Sequence, residues 1–451
     1  MRSFLPLLFV SVLIAQDPGA ALLKPQAPQA FVALKELATQ IGPRLTGSPQ
    51  ERAAHTWALA RFKALGLETG QMRFPLAHTW TRGATQASLQ GRSIRLAQWG
   101  WTPPTTGAIT APLVLLGTPD DVARMKDRLK GAIVLAGPPS KRLDPPEMNP
   151  PLKEHKAAEP EEGFPVDELA PALKAAGALA ILTDAGKSRG LLNMNSPWKL
   201  EPGGLPVAFV AHPDYAKLCA TGQPLRLELG GDFGPAGEGL VTWAELKGAK
   251  HPDECVVLGA HLDSWDLATG ATDNGAGAAA ILEAARLLTK SGAKPGRGIR
   301  FVLFSGEEQG YLGSLAYAKA TSLEKVSAVF VIDTGAGAIN GFALQHRLEA
   351  AKLLMPLLAP LSKLGVTETD LRDEGGTDHV PFDRAGVPAF CAEQVQHDYA
   401  AIHHSEADTL DHVRPAELEQ AAQVMAYTAL RVADLPGLLP REREAKSEES
   451  H

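Results

Sequence analysis

Three apolar runs in the second half of the chain lead into a histidine or a carboxylate. They are residues 256–260 before His261, residues 301–304 before Glu307 and Glu308, and residues 329–332 before Asp333. Amphipathic segments separate these runs, which indicates an α/β fold with a largely parallel sheet covered by helices on both faces. Because such sheets bind ligands beyond the carboxyl ends of their strands, these side chains are predicted to share one site.

The same alternation extends from about residue 240 to residue 435. Apolar runs predict strands at 255–260, 299–305, 328–332 and 387–391, and helical spacing predicts helices at 277–290, 314–320, 348–364 and 415–433. Two further helices are predicted between residues 29 and 67. A loop rich in Gly, Pro and Ser, residues 42–48, separates them.

The middle of the chain, from about residue 110 to residue 230, has a different texture. Short β-like runs at 113–116, 132–135 and 180–182 alternate with helical segments such as 166–176. A charged, Pro-rich stretch at 137–164 interrupts them and predicts a surface loop.

Bulk properties bound the class of protein. A chain of 451 residues predicts two or three domains. The formal charge of -7 gives no basis for binding nucleic acid or an anionic membrane. Residues 1–15 combine a basic Arg2 with a short apolar run, which predicts a cleaved signal peptide and a secreted or periplasmic protein. No later apolar stretch is long enough to predict a membrane span.

Cysteine is sparse. The chain has three, Cys219, Cys255 and Cys391, and the last two flank or lie within strand-like runs. We predict that these two are small buried hydrophobic residues and that no disulfide is essential.

Two other residues have the chemistry to join the predicted site. Asp273 opens a Gly-rich segment that leads into a helix, and His404 lies in a late loop, residues 403–409. Carboxylates gathered at strand ends repel one another unless positive charge lies among them, and divalent metals supply it. Imidazole nitrogen with carboxylate oxygen is a donor set that suits zinc.

Each of these residues, taken alone, has an ordinary structural explanation. On its own, His261 is equally well explained as a metal ligand or as a core histidine with hydrogen-bond partners. Glu307-Glu308 on its own is better explained as an ordinary acidic loop than as part of a site. Asp273 is typical of a helix N-cap and Asp333 of a turn. Their joint occurrence at strand ends favours a metal site.

The set resembles the M28 family of zinc peptidases, in order and spacing, over the whole second half. The matching motifs are His261-Leu262-Asp263-Ser264-Trp265-Asp266, Ala271-Thr272-Asp273-Asn274-Gly275-Ala276-Gly277, Glu307-Glu308-Gln309-Gly310, Asp333-Thr334-Gly335, Gly376-Thr377-Asp378, and His403-His404-Ser405 with Asp408-Thr409. Residues 41–48 and 80–83 also look like the family. The combination is specific, although any one motif alone is weak.

The resemblance implies two zinc ions per chain, bridged by Asp273. His261 and Asp333 would complete the site of one ion, and Glu308 and His404 that of the other. It also implies a cis peptide bond between Asp273 and Asn274.

Three further roles follow from the same resemblance. Glu307 would be the general base that takes a proton from the metal-bridging water, and Asp263 would hydrogen-bond the far nitrogen of His261 and fix its tautomer. His403 stands where several relatives have a tyrosine that donates to the oxyanion. Either the imidazole takes that role or His403 only packs. Asp408 is interpreted as a residue that either supports the metal ligands or fixes a loop, and Trp265 either walls the pocket or only packs.

For the architecture, the resemblance implies a zinc-exopeptidase-like catalytic domain with a mostly parallel mixed sheet. It is built from residues 24–108 and 236–436. The segment Gly131-Ala132-Ile133-Val134-Leu135 with Leu173-Lys174-Ala175-Ala176-Gly177-Ala178 resembles a protease-associated domain, so residues 109–235 are predicted to be an inserted α/β domain. Residues 437–451 are predicted to be a disordered tail. A homodimer is also implied.

The predicted function is that of a co-catalytic dinuclear zinc peptidase acting on short peptides, with dipeptides preferred. An aminopeptidase of the same family would share all the metal chemistry. Two weaker alternatives use the same scaffold. One is a glutaminyl cyclase relative with one zinc, and the other is a receptor that has lost ligands or the base. Both are disfavoured because every position of the motif set is filled.

Overall fold

The computed structural model describes residues 17–144, 164–197, 199–200 and 202–444. The predicted signal peptide at residues 1–15 lies outside the described residues. So do residues 445–451 of the predicted tail and residues 145–163 of the predicted surface loop.

The strands and helices are as follows. In chain order, the strands are β1 (Glu68–Leu76), β2 (Trp80–Thr81), β3 (Thr85–Leu89), β4 (Arg92–Ile94), β5 (Leu96–Gln98), β6 (Ile109–Ala111), β7 (Leu113–Leu116), β8 (Ile133–Ala136), β9 (Ala180–Asp184), β10 (Val207–Val210), β11 (Leu225–Leu229), β12 (Asp232–Phe233), β13 (Gly237–Leu246), β14 (His251–His261), β15 (Arg297–Phe304), β16 (Val326–Ile332), β17 (Ile339–Ala343) and β18 (Ala389–Gln394). The α-helices are α1 (Pro18–Leu22), α2 (Gln29–Glu36), α3 (Pro49–Ala64), α4 (Asp121–Arg124), α5 (Lys126–Leu129), α6 (Val166–Ala175), α7 (His212–Ala220), α8 (Ala276–Lys290), α9 (Leu312–Ala320), α10 (Leu348–Leu358), α11 (Val380–Arg384), α12 (Tyr399–Ile402) and α13 (Pro415–Ala433).

A seven-stranded mixed sheet forms the larger core, in the order β1-β13-β15-β14-β16-β18-β17. Its four neighbouring strands β15, β14, β16 and β18 are parallel, and the antiparallel strands β13 with β1 and β17 flank them. The predicted mixed α/β sheet is therefore confirmed, with the parallel part at the centre.

Both faces of this sheet are buried, as the continuous apolar runs require. Along β14, Val256 and Leu258 pack into the cluster that contains α8 and α13, while Val257 packs into the opposite cluster with α9 and α11. Helix α8 is buried almost all round because its first two turns are mainly alanine, which lets it lie close to both the sheet and α13.

Two smaller sheets lie in the middle of the chain. One has the order β5-β10-β9-β8-β7, with β7 to β10 parallel, and the other has the order β4-β3-β11-β6. Strands β3, β4 and β5 come from residues 85–98, so the predicted boundary at residue 109 falls within these sheets. These strands are only three to five residues long, so the sequence gave no signal that β5 pairs with β10 or that β3 pairs with β11.

The predicted disordered tail is wrong for residues 437–444. Leu439 is only 2% exposed, and its N–H donates to Ser327 Oγ at 3.2 Å. Arg441 donates to the carbonyls of Leu323 and Val326, and Arg443 pairs with Asp383. These contacts fasten an extended segment without a periodic apolar face, so the pattern used for the prediction does not detect it.

Other sequence predictions compare well with the structure. Helix α13 has its predicted bounds, and the predicted helix at 348–364 is α10 followed by a short 3-10 helix, Ala359–Leu364. All three cysteines are unpaired, and Cys255 and Cys391 are buried as predicted. Across the described ranges, none of the helices has the length and apolar character to cross a membrane.

Candidate metal centre

Three adjacent parallel strands place the first group of candidate residues. Strand β14 ends at His261, β16 ends one residue before Asp333, and β15 ends three residues before Glu307. Since β14 is hydrogen-bonded to both β15 and β16, the three strand ends are neighbours at one edge of the sheet. The structure therefore brings these side chains to the same edge of the sheet.

Asp273 and His404 reach the same edge from loops. Asp273 lies just before α8, and its peptide bond to Asn274 is cis, as the resemblance implied. Asn274 Nδ2 donates to Ile332 O at 2.8 Å, which joins this turn to the end of β16. His404 follows α12 and has a φ of 50°, in the left-handed region.

The two carboxylate oxygens of Asp273 face different histidines. Oδ1 lies 3.0 Å from His261 Nε2. Oδ2 lies 3.2 Å from His403 Nε2 and 3.3 Å from His404 Nε2. Asp273 therefore stands between two clusters of nitrogen and oxygen donors.

Each cluster holds one more carboxylate beside its histidine. Asp333 Oδ1 lies 3.2 Å from His261 Nε2, and Glu308 Oε2 lies 2.9 Å from His404 Nε2. The structure thus brings together all five residues named above as ligands, in the two pairs that the resemblance implied around Asp273.

Glu307 and His403 lie close to these ligands. Three groups have all their ligand atoms within 4.8 Å of one another: Asp273 with His403 and His404, His261 with Glu307 and Asp333, and His261 with Asp273 and Glu308. Glu307 thus lies beside the His261 cluster, and His403 lies beside the His404 cluster.

The donor set fits divalent cations. Asp273 Oδ2, despite its two imidazole neighbours, and Glu308 Oε1 are buried and accept no hydrogen bond of normal geometry. A buried carboxylate oxygen left without a partner is costly, and a cation beside it would remove that cost. Imidazole nitrogen with carboxylate oxygen is a donor set that suits zinc without a thiolate.

The crowding of carboxylates also shifts the pKa values of the two histidines when no metal is bound. Burial lowers the pKa of His404, but the charge of Glu308 and a hydrogen bond to Asp273 outweigh it and raise that pKa to about 10. Burial likewise opposes protonation of His261, yet Asp333 and its other carboxylate partners raise its pKa well above the usual value. Without metal, the surrounding carboxylates favour protonated imidazoles, and bound cations would supply the positive charge with neutral ones.

Asp263 holds His261 Nδ1 through its backbone carbonyl, whereas Oδ1 of its carboxylate, the expected partner, accepts no hydrogen bond of normal geometry. His261 Nδ1 lies 3.0 Å from Asp263 O and 3.4 Å from Asp263 Oδ1. An N–H at Nδ1 donating to that carbonyl leaves Nε2 free to bind a cation. Oδ2 of Asp263 accepts a hydrogen bond from Thr46 Oγ at 2.7 Å.

Asp408 fixes the turn that carries Asp273, as predicted. Its Oδ1 accepts from the N–H of Thr272 at 2.5 Å and from Thr272 Oγ at 2.7 Å, and its Oδ2 accepts from the N–H of Asp273 at 3.2 Å. Burial raises the pKa of Asp408 to about 6.

Arg44 is a residue whose role the sequence analysis missed. It is fully buried, and its guanidinium donates to the carbonyls of Gly42, Leu262, Thr269 and Gly270 at 2.7–2.9 Å. It therefore joins the loop after β14 to the loop before α3. The available signal was an arginine inside the apolar, Gly- and Pro-rich segment 41–48, where a solvated side chain is not expected.

Trp265 packs beneath the site and does not line an open pocket. It is 4% exposed, belongs to an apolar cluster with Leu45, Trp80, Trp101 and Met194, and its ring meets His404 edge-on at 5.8 Å between centroids.

The chain is similar to known peptidases in sequence and in structure. Residues 242–429 match the model of Peptidase family M28. Mouse carboxypeptidase Q is 28% identical over 421 residues, which cover 90% of this chain and 86% of that protein. Aminopeptidase YwaD of Bacillus subtilis is 26% identical, with 94% and 89% covered. The crystal structure of a peptidase M28 precursor from Shewanella amazonensis is 26% identical, covers 96% of this chain and 98% of that one, and superposes with a TM-score of 0.80. The predicted resemblance is confirmed.

Proposed function

Given that residues 242–429 belong to peptidase family M28, we propose that this chain is an exopeptidase that holds two zinc ions and hydrolyses short peptides, with dipeptides preferred. The observation that carries the proposal is the position of Asp273, whose two oxygens face separate histidine and carboxylate clusters. A single carboxylate placed in this way suits a pair of cations that share one bridging ligand.

These contacts support one arrangement of ligands. His261 and Asp333 would hold one ion, Glu308 and His404 would hold the other, and Asp273 would contribute to both. Zinc ions bound there would lower the pKa of a water molecule and polarise the scissile carbonyl.

Glu307 is the general base. It neighbours Glu308 in sequence, and its carboxylate lies within 4.8 Å of the ligand atoms of His261 and Asp333. From there it takes the proton of the attacking water and passes it to the departing amine, a transfer typically worth a factor of about 10²–10⁴ in rate. Burial favours the neutral carboxyl that exists between these two transfers.

His403 is positioned to stabilise the oxyanion. Its ring stacks on that of His404, with 3.8 Å between centroids, and its Nε2 faces Asp273. A ring N–H at this position donates to the tetrahedral oxygen, which is the part that a tyrosine plays at the matching position of other relatives.

The segment that carries the two smaller sheets is proposed to be an inserted protease-associated domain. Its supports are the parallel strands β7 to β10 with α6, and the fact that these elements lie between the two parts of the chain that build the seven-stranded sheet. Strand pairing favours limits near residues 80 and 233 over the predicted 109 and 235. Export and a homodimer remain predictions.

Hydrolysis of a small peptide panel tests the function. Free, N-acetylated and C-terminally amidated dipeptides are incubated with the zinc-loaded protein, with the chelated protein, and with Glu307→Gln. The exposed Glu324→Gln serves as the matched control. Cleavage of free dipeptides, lost on chelation and reduced at least about 100-fold by Glu307→Gln alone, is expected.

The same panel separates the alternatives. Cleavage of amidated but not acetylated peptides identifies an aminopeptidase. One of the relatives compared above, YwaD, is named as an aminopeptidase. The reverse preference identifies a carboxypeptidase. No cleavage by zinc-loaded protein would overturn the proposal and favour a binding role.

A further inference from the structure

A short segment of the middle region is bonded directly to the loop that carries His404. Asn193 forms an isolated antiparallel β-bridge with Ser405, and the N–H of Met194 donates to His404 O at 2.8 Å. This segment lies outside residues 242–429, the part that matches the family model. The conformation of a proposed metal ligand thus depends on contacts from a different part of the chain.

The side chain of Met194 fastens the segment in place. It is 3% exposed and packs among Leu45, Trp80, Trp101 and Trp265. Its Sδ also accepts a hydrogen bond of 3.4 Å from the N–H of Leu267 in the loop after β14. Met194 therefore links three segments that lie far apart in the sequence.

His404 is reached from Met194 by two routes. The first is the backbone hydrogen bond, and the second is the ring of Trp265, which meets the His404 ring edge-on and belongs to the same apolar cluster as Met194. His404 has a φ of 50°, a conformation that non-glycine residues adopt rarely and at a cost of about 1–2 kcal/mol. Contacts from outside the loop are what hold a residue in such a conformation.

Three further contacts secure the same part of the chain. Glu406 Oε1 accepts from the N–H of Leu192 at 3.1 Å and from Arg95 Nη2 at 2.6 Å. Lys187 Nζ donates to Ala400 O at 2.8 Å, and Lys187 is only 4% exposed. The segment from residue 400 to residue 406 is therefore bonded to the middle region at both ends.

We propose that Met194 is a positioning residue for the metal site that contains His404, so that the middle region completes one of the two zinc sites. This inference rests on the proposed function, because it presupposes that His404 binds zinc. It has a thermodynamic consequence: if the segment improves zinc affinity, bound zinc must stabilise the docking of the segment by the same factor.

Zinc affinity of single variants tests the proposal. Zinc alone is titrated against a chromophoric competing chelator with the wild-type protein, with Met194→Ala and with Met194→Leu. Met194→Ala is expected to lower the affinity for one of the two zinc ions by about 10–100-fold and to leave the affinity for the other unchanged. This range is typical for residues that orient a ligand. Met194→Leu keeps the packing and is expected to restore affinity to within about threefold.

A second variant avoids the buried cluster. Arg95→Met removes an exposed partner of Glu406 and leaves the apolar cluster intact, so an effect on folding is not expected. Arg95→Met should lower the affinity for the same zinc ion by about two- to fivefold, which is the range for an exposed ion pair. The melting temperature should not change. Full affinity for both ions in Met194→Ala and in Arg95→Met would overturn the inference, as would equal losses in Met194→Ala and Met194→Leu.

Hydrogen exchange provides a readout that does not depend on activity. Removing zinc from the wild-type protein is expected to speed exchange of the Met194 amide by about 10-fold or more, while Ile181 in β9 is unaffected. Unchanged exchange at Met194 would contradict the linkage. A wild-type protein that binds no zinc would overturn the proposed function, whereas normal two-ion binding with silent variants overturns this inference alone.

Discussion

Thr46 Oγ donates a hydrogen bond of 2.7 Å to Asp263 Oδ2 and accepts one of 3.1 Å from the N–H of Gly306. A single hydroxyl therefore joins the residue that orients His261 to the backbone just before Glu307. The two elements it connects, β14 and β15, each deliver one part of the proposed catalytic apparatus.

Replacing Thr46 by valine should impair both parts at once. The variant leaves Asp263 Oδ2 and the Gly306 N–H without partners, and we expect kcat to fall by about 10–100-fold with a loss of about 1–3 kcal/mol in the free energy of unfolding. Thr46→Ser keeps the hydroxyl and should retain kcat to within about threefold. Equal rates for the two variants would show that the hydroxyl has no part in positioning.

Arg44 should matter mainly for stability. Arg44→Met leaves two buried and two part-buried carbonyls without this donor and removes a positive charge near Asp263, Asp273 and Asp408, so a loss of about 3–5 kcal/mol is expected. Arg44→Lys keeps the charge but lacks the planar fork, and should lose less. Urea unfolding of both variants beside Arg52→Lys, an exposed arginine of α3, measures the difference.

What the sequence predicted well has a local origin. The strand ends at His261 and Asp333 follow from an apolar run that stops at a polar residue, and helix α13 follows from its apolar period of 3.6 residues. Both signals lie within about ten to twenty consecutive residues, so no knowledge of the rest of the chain is needed.

What it missed depends on distant contacts. The partner of Thr46 lies 217 positions away, and the carbonyl of His404 is bonded by a residue from another sheet region. Leu439 is buried by docking against β16, although its segment has no periodic pattern. Pairing of this type is decided by which surfaces meet in three dimensions, and a linear pattern does not encode it.

Chelation should lower thermal stability as well as activity. If two zinc ions bind the folded protein only, an excess of about 100 times the dissociation constant contributes about 2.7 kcal/mol per ion. We expect a melting temperature several degrees lower after chelator treatment, recovered by zinc and not by calcium. Identical melting curves with and without chelator would show that the centre described above does not hold metal.

Glu374 and Glu393 form a second buried acidic group, apart from the metal ligands. Glu374 is 5% exposed and Glu393 is 4% exposed, and Arg372 pairs with Glu393 at 2.8 Å. Burial, and next the charge of Glu393, raise the pKa of Glu374 from 4.5 to about 10. The folded protein therefore keeps a proton on Glu374 that the unfolded chain releases.

This difference sets the sign of a pH dependence. Between about pH 4.5 and pH 10 the unfolded chain binds fewer protons than the folded protein, so Glu374 makes folding less favourable as the pH rises, by at most about 1.4 kcal/mol per pH unit. Glu374→Gln removes this titration. Its melting temperature should exceed that of the wild type by an amount that grows from pH 5.5 to pH 8.5. The exposed Glu324→Gln should show no such trend, and a constant difference for Glu374→Gln across this range would mean that the carboxyl ionises normally in the folded protein.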